Sequence, residues 1–266
     1  MHSVIGMPDT GLMDVADEDA HSTRRQPGRP RLPFERIVAT AREIVDADGV
    51  SALTMRSLAG QLNTSPTVLY RAVAGRAELI EHVVDHTLAE IHVDFDDGAT
   101  WQTDCLISAQ AMFAVLSRHR GVAPLLIERV PIGPHALLMR ERILARLLDH
   151  GFTPAEASMA YATLARYVIG FAAQLDGHSG AREREADRLT SLYRDLDGAA
   201  LPATVAVAEH LPQQTLESEF EFGLHLLITG LANHRQADGS PRSEPLVTEP
   251  RQRGTGDVFP SVVDRE

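Results

Sequence analysis

The sequence contains no lysine and a single cysteine, Cys105, and only 5% of its 266 residues are aromatic. One cysteine excludes an internal disulfide framework and suits a reducing compartment, so a cytoplasmic protein is expected. No apolar run is long enough to cross a membrane, and the first twenty residues are too acidic for a signal peptide. The sequence also lacks paired histidines, a phosphate-binding loop and a nucleophile elbow, so no metal, cofactor or catalytic residue is predicted.

Positive charge is concentrated in one segment of an otherwise acidic chain. The net charge is −12, yet residues 21–80 hold nine arginines and five acidic residues, a net charge of +4 that leaves −16 elsewhere. Such asymmetry is expected when only one part of a protein faces phosphate. This segment is therefore a candidate for nucleic-acid binding.

The strongest local pattern is a pair of short helices joined by a tight turn. Thr54 is suited to cap the first helix, because its hydroxyl can accept a free amide of the first turn. Asn63 is expected to end that helix, since asparagine tolerates the left-handed conformation found at many helix ends. Ser65 is the expected cap of the second helix, with Pro66 at its first position, where a missing N–H costs nothing.

This pair predicts a helix-turn-helix whose second helix, residues 66–72, lies in a DNA major groove. Val68, Leu69 and Val73 are expected to form the buried face of that helix. A corner between two helices of an all-helical protein would give the same local pattern. The preceding segment, from Pro33 onward, predicts another helix with an apolar stripe, which favours the helix-turn-helix.

Residues 33–91 resemble the DNA-binding domain of the TetR family of bacterial transcriptional repressors. The matching segments are I-V-A-T-A-R-E-I-V, D-G-V-S-A-L-T-M-R-S-L-A-G-Q-L, S-P-T-V-L-Y-R and G-R-A-E-L-I. The resemblance implies a sequence-specific repressor that a small molecule releases from its DNA operator. It also implies contacts to bases, thymine methyls and phosphates from Arg56, Pro66, Thr67, Val68, Tyr70, Arg71 and Arg76.

The predicted architecture is all-α, with a three-helix helix-turn-helix DNA-binding domain joined to a larger helical bundle for dimerisation and ligand binding. The expected boundaries are a disordered arm at 1–27, the DNA-binding domain at 28–91, the helical domain at 92–235 and a disordered tail at 236–266. Arg29, at the end of the arm, is placed in the minor groove or in a flexible basic linker.

The last predicted helix is apolar on most faces and cannot remain exposed, so its expected partner is its own copy in a homodimer. With the helix at 153–175 it would form a four-helix interface that includes Leu164, Phe171, Phe220, Leu224, Leu227 and Leu231. The family resemblance implies an apolar effector pocket between residues 101 and 175, for which the candidate lining residues are Phe113, Leu116, His135, Met139, Arg166 and Tyr167.

Two other classes of function remain possible from the sequence alone. An architectural DNA-binding protein would use only arginine-rich arms, without operator specificity. A helical enzyme would need catalytic residues brought together from distant parts of the chain. Competition between the protein's own upstream DNA and excess random duplex would separate a specific repressor from an architectural binder.

Overall fold

The computed structural model describes residues 32–175 and 179–237, which form helices and turns without any strand. Arg29, the predicted arm and nearly all of the predicted tail lie outside these residues. The bundle is therefore all-α over the whole part that can be described, as the sequence predicts. Its helices are α1 Phe34–Asp48, α2 Met55–Gln61, α3 Pro66–Leu69, α4 Arg76–Leu88, α5 Trp101–Arg118, α6 Ala123–Glu128, α7 Pro134–Asp149, α8 Pro154–Ala172, α9 Ser179–Arg194, α10 Pro202–Ala206 and α11 Leu216–Ala237.

The helix ends follow local backbone chemistry. Gly49 and Gly151, just past the ends of α1 and α7, have φ of 80° and 77°, a region that L side chains seldom adopt. Thr153 caps α8 by accepting from the Glu156 N–H, and Glu156 in turn accepts from the Thr153 N–H, with Pro154 at the first helical position. This capping box confirms the start predicted for the long helix.

The N-terminal helices have a small core of their own. The apolar stripe of α1 is buried, with Ile37 and Ile44 at 1% and 2% exposure. It packs against α4 and α2, whose Leu58 and Leu79 are fully buried. α3, which has only four residues, packs against α2 of this group.

The body is built around the pair α5 and α8, against which α6, α7 and α11 pack. Phe113 of α5 stacks on Phe220 of α11, with ring centroids 4.0 Å apart. Tyr167 and Phe171 of α8 lie against the same ring of Phe220. This aromatic cluster fixes the relative positions of three helices.

The final helix extends into the segment that the sequence predicts to be a disordered tail. It continues to Ala237, so the first two residues assigned to the tail are helical. Between α8 and α11 the chain forms α9, α10 and a short 3-10 turn at Leu211–Gln213. No helix among the described residues is long and apolar enough to span a membrane.

Candidate DNA interface and effector cavity

The turn that presents α3 follows α2, and the first turn of α2 is capped by hydrogen bonds. Thr54 accepts from the Ser57 N–H at 2.9 Å, and the Ser57 hydroxyl oxygen accepts from the Thr54 N–H at the same distance. Asn63 has a φ of 50°, so the predicted left-handed turn is confirmed. Together the cap and the turn give α2 and α3 a defined geometry.

The third helix is anchored on one side and open on the other. Leu69 is fully buried and Val73 is 3% exposed, so these two side chains hold the segment against the core. Pro66 and Thr67 are exposed, as are Val68 at 38% and Tyr70 at 55%. Side chains on the open side of a rigid helix are those able to reach base edges in a major groove.

Three predictions about this segment are wrong in detail. The regular helix ends at Leu69 rather than at residue 72, because the chain turns at Tyr70 and Arg71. Val68 belongs to the open side, not to the buried face. Ser65 makes no capping hydrogen bond with its side chain, so α3 depends on Pro66 and on the burial of Leu69.

The arginines near α3 fall into two groups. Arg56 on α2 and Arg71 after α3 are exposed at the surface. Arg76 instead donates from its Nε to the Leu53 carbonyl and from its Nη2 to the Val50 carbonyl, both at 2.6 Å. The structure thus uses Arg76 to tie the start of α4 to the loop before α2, a role that the resemblance does not imply.

A cavity of about 330 Å³ opens between α4, α5, α7 and the link from α4 to α5. Its volume is at the lower end of the range for small-molecule sites. Most of its walls are apolar, with histidine and arginine side chains at several points. The lining residues are Leu88, Ala89, Ile91, His92, Val93, Phe95, Ser108, Met112, His135, Leu138, Met139, Arg142 and Ile143.

A smaller space of about 30 Å³ continues from this cavity towards α8. The two share Ser108 and Met112 of α5 and Met139 of α7. Ser108 is 7% exposed, and its hydroxyl has no hydrogen-bond partner within the described ranges. An unpaired buried hydroxyl is costly, so a ligand that hydrogen-bonds Ser108 would gain from it.

Arginine side chains of α7 hold the link over the cavity. Arg142 donates to the Val93 carbonyl at 2.7 Å, and its guanidinium lies 5.7 Å from the centre of the Phe95 ring. The Arg146 guanidinium lies 5.5 Å from the centre of the same Phe95 ring, and its Nε donates to Asp104 at 2.8 Å. These contacts stabilise one wall of the cavity from a single helix.

Cys105, on the α5 side of the smaller space, is a buried free cysteine. Its exposed fraction is 3%. Burial, reinforced by the charge of neighbouring Asp104, raises the pKa of its thiol to about 12. The thiolate is therefore scarce at neutral pH, and the Cys105 side chain packs in the core as a small apolar group rather than acting as a reactive thiol.

An apolar groove of about 300 Å³ runs along the outer face of α8 and α11. Leu164, Leu227 and Leu231 line it. Beside them, Met159 and Leu226 are 71% and 57% exposed, which is unusual for side chains of this size.

A sequence model of the family described as Tetracyclin repressor-like, C-terminal domain, matches residues 96–235. The chain belongs to the TetR family. The HTH-type transcriptional repressor DrrR1 of Streptomyces coeruleorubidus is 30% identical, over 79% of this chain and 82% of the relative. The TetR-family protein ActR of Streptomyces coelicolor, solved with actinorhodin, is 31% identical at a TM-score of 0.70, covering 76% of this chain and 98% of ActR. These relatives are transcriptional regulators, and this chain is a DNA-binding transcriptional regulator of the same kind.

The BioQ protein, solved with its double-stranded DNA operator, gives a more distant structural match. It is 26% identical at a TM-score of 0.54, and the alignment covers 76% of this chain and 99% of BioQ. Because the chain belongs to the TetR family and a relative is a named repressor, a transcriptional regulator is favoured over an architectural DNA-binding protein.

The effector pocket of this TetR-family chain is only partly where the sequence predicts it. His135 and Met139 line the cavity. Phe113 and Leu116 do not, because they lie on the side of α5 that faces the protein core. Tyr167 does not line the cavity either, and its hydroxyl donates instead to the Phe220 carbonyl at 2.8 Å.

Arg166, the remaining pocket candidate, is exposed on α8 and does not line the cavity. The sequence analysis missed Ser108, Met112 and Arg142. A signal for Ser108 exists, since a hydroxyl within the apolar stretch of α5 needs a partner, but nothing local assigns it to a cavity.

The predicted dimer interface also needs correction. Phe220 and Leu224 are fully buried against helices of their own protomer, so neither can contact a second copy. Phe171 is half-buried in the aromatic cluster. Met159 and Leu226, by contrast, are exposed on the outer face of α8 and α11.

Proposed function

We propose that this TetR-family regulator is a homodimeric repressor that holds an operator with two copies of α3 and releases it when a small apolar compound binds. The observation that carries the proposal is the arrangement of α3. Leu69 and Val73 are buried, while the neighbouring Pro66, Thr67 and Val68 are presented outward. A helix held in this way is suited to reading base edges.

The base-reading set is proposed to be the open side of α3 with its flanking arginines. Direct contacts to bases and thymine methyls come from the first turn, and contacts to bases or phosphates from the exposed residues around it. Arg29, outside the described residues, is proposed to enter the minor groove. The full set is Arg29, Arg56, Pro66, Thr67, Val68, Tyr70 and Arg71, with Arg76 contributing to phosphate contact from the start of α4.

The dimer is proposed to form through the outer face of α8 and α11. Its groove exposes the large apolar side chains of Met159 and Leu226, at 71% and 57% exposure, and Phe222 of α11 is 67% exposed outside the groove. Apolar surface of this kind is stabilised by burial against another chain. A two-fold arrangement would then place two α3 segments on one face of a duplex, as half-site recognition requires.

The effector is proposed to be a small, largely apolar compound with a few polar groups. The cavity walls are aliphatic and aromatic, and Ser108, His135 and Arg142 supply the polar contacts. ActR, the relative solved in complex with actinorhodin, supports a small-molecule ligand. A regulator that acts on DNA works in the compartment that contains the DNA, which we propose is the cytoplasm.

Selection of duplexes from a random-sequence library by the full chain tests the proposed function. A specific repressor should enrich a sequence with two related half-sites and hold it against a large excess of random duplex. Binding that random duplex competes away at equal concentration would support an architectural protein instead. Addition of actinorhodin to the selected complex tests the effector class, with release of the duplex as the expected result.

A further inference from the structure

A buried carboxylate joins the helix that leaves the DNA-binding region to the helix that forms one cavity wall. Asp85 of α4 is 8% exposed. Its Oδ1 accepts from the backbone N–H groups of His135 and Ala136, both at 3.0 Å, and its Oδ2 accepts from the His135 ring at 2.8 Å. We call this group, Asp85 with the first turn of α7, the α4–α7 pin.

The pin supplies a cap that α7 does not provide for itself. Its N-cap is Gly133, which has no side chain, and its first position is Pro134. A methyl group on Gly133 would overlap the Asp85 carboxylate, so the close approach requires glycine at this position. The free N–H groups and positive end of α7 thus stabilise a charge that belongs to another helix.

The position of the pin connects the two functional regions. α4 begins directly after the α3 segment and packs on α1, while its later part packs on α7. His135 belongs to the pin and lines the cavity. An ionised carboxylate only accepts, so the Nδ1 of His135 carries the hydrogen and Nε2 is the polar ring atom left for a ligand.

Separation of the pin would leave a buried carboxylate without its hydrogen bonds, and such a group is strongly destabilising. The start of α7 and the later part of α4 are therefore expected to move together. From this we infer that Asp85 transmits displacement of α7 by a cavity ligand to α4, and so to the α3 segment. The inference rests on the proposed function and assigns Asp85 as the positioning residue for its regulation.

The test fills the cavity by mutation, because this needs no effector. Met139→Trp adds volume on the cavity side of α7, and the measured quantity is the dissociation constant for the selected duplex. In the otherwise unchanged chain we expect weakening of about tenfold, within the range of about 5- to 150-fold typical of coupled sites. In the Asp85→Ala background the same substitution should weaken binding by less than about threefold, as a coupled pair requires in a double-mutant cycle.

Two further variants separate coupling from simple damage. Asp85→Asn keeps an oxygen that accepts from both backbone N–H groups, so it should restore most of the response to Met139→Trp. Glu81→Ala removes another acid of α4, whose exposed partner Arg129 lies 3.5 Å away, and should leave that response unchanged. Circular dichroism and sedimentation check that each variant is folded and of native size.

Met112→Trp fills the cavity from the opposite wall and replaces Met139→Trp if that variant does not fold. Equal weakening with and without Asp85, or no effect of filling in the chain that retains Asp85, would overturn the role of the pin. Failure of the unsubstituted chain to enrich any duplex is a different result, which would count against the proposed function itself.

Discussion

The DNA-reading region and the helical body use their side chains in different ways. Around α3 the proposed function depends on side chains that protrude, since Leu69 is buried while Val68 and Tyr70 are exposed. In the body the proposed function depends on spaces between helices, namely the cavity between α5 and α7 and the groove along α8 and α11. Protruding groups can be assigned from a local motif, whereas a space exists only once distant helices have packed.

The largest effect is expected from a variant that disrupts the proposed dimer interface of the body, because the dimer brings two DNA-reading regions to one operator. Leu226→Arg places a charge on the outer face of α8 and α11, at a position that is 57% exposed in the protomer and so costs the protomer little. The variant should be monomeric and bind the operator about 100-fold or more weakly, because each copy then holds one half-site without the benefit of the other. Sedimentation and fluorescence anisotropy measure the two quantities.

Leu148→Arg is the matched control for this prediction. Leu148 is 42% exposed on α7 and does not line the α8–α11 groove. It should leave the dimer and the operator affinity unchanged. A dimeric Leu226→Arg variant with normal operator affinity would show that the dimer interface lies elsewhere than along α8 and α11.

The second prediction concerns the protruding groups themselves. Arg71→Ala should weaken binding by about 1–3 kcal/mol and relax sequence preference at particular base positions, if Arg71 contacts bases. Comparison of duplexes with single base changes measures this preference. Arg166→Ala, another exposed arginine but on α8, is the control and should have no effect. Equal weakening of Arg71→Ala on every duplex would assign Arg71 to phosphate instead.

The sequence is most informative where structure depends on neighbours in the chain. The cap at Thr54 and the turn at Asn63 are correctly predicted, because a cap or a turn involves residues only a few positions apart. The helix predicted at 153–175 is also close to the observed α8, whereas α3 is shorter than predicted. Its regular helix ends at Leu69, and Leu69 and Val73 on either side of the following turn are both buried.

The cavity was harder to predict because α5 is apolar on more than one side. Phe113 faces the aromatic cluster, while Met112, the preceding residue, faces the cavity. Periodicity identifies both as buried but cannot say which neighbour each will meet. Asp85 shows the same limit, since its partners are 50 and 51 residues further along the chain.

The smallest effect is expected where the two regions meet in a cluster of charges. Glu90, just after α4, accepts from Arg42 of α1 and from Arg118 and His119 at the end of α5. The other ring nitrogen of His119 lies 2.7 Å from Asp46 of α1. Burial alone would raise the pKa of Glu90, but the hydrogen bonds from His119, Arg42 and Arg118 outweigh it and lower the pKa to about 2.

The sign of the pH dependence follows from the lowered pKa. Folding favours the ionised form of Glu90, so its contribution to stability is present above pH 4.5, the ordinary value, and is lost as pH falls towards 2. Glu90→Gln should therefore lower the free energy of unfolding at pH 7 and flatten its decline between pH 5 and 3. The side chain is 32% exposed, so screening by solvent limits the effect to on the order of 1–2 kcal/mol.

Denaturant unfolding at several pH values measures this contribution, with Glu185→Gln as the control. Glu185 also has a lowered pKa, because its partner Arg188 hydrogen-bonds to it, but both side chains are exposed on α9. An exposed pair of this kind contributes little to stability, so the control should unfold like the unsubstituted chain. If Glu90→Gln also behaves like the unsubstituted chain, the charge cluster does not stabilise the junction, and packing of α4 on α5 and α7 holds the two regions together.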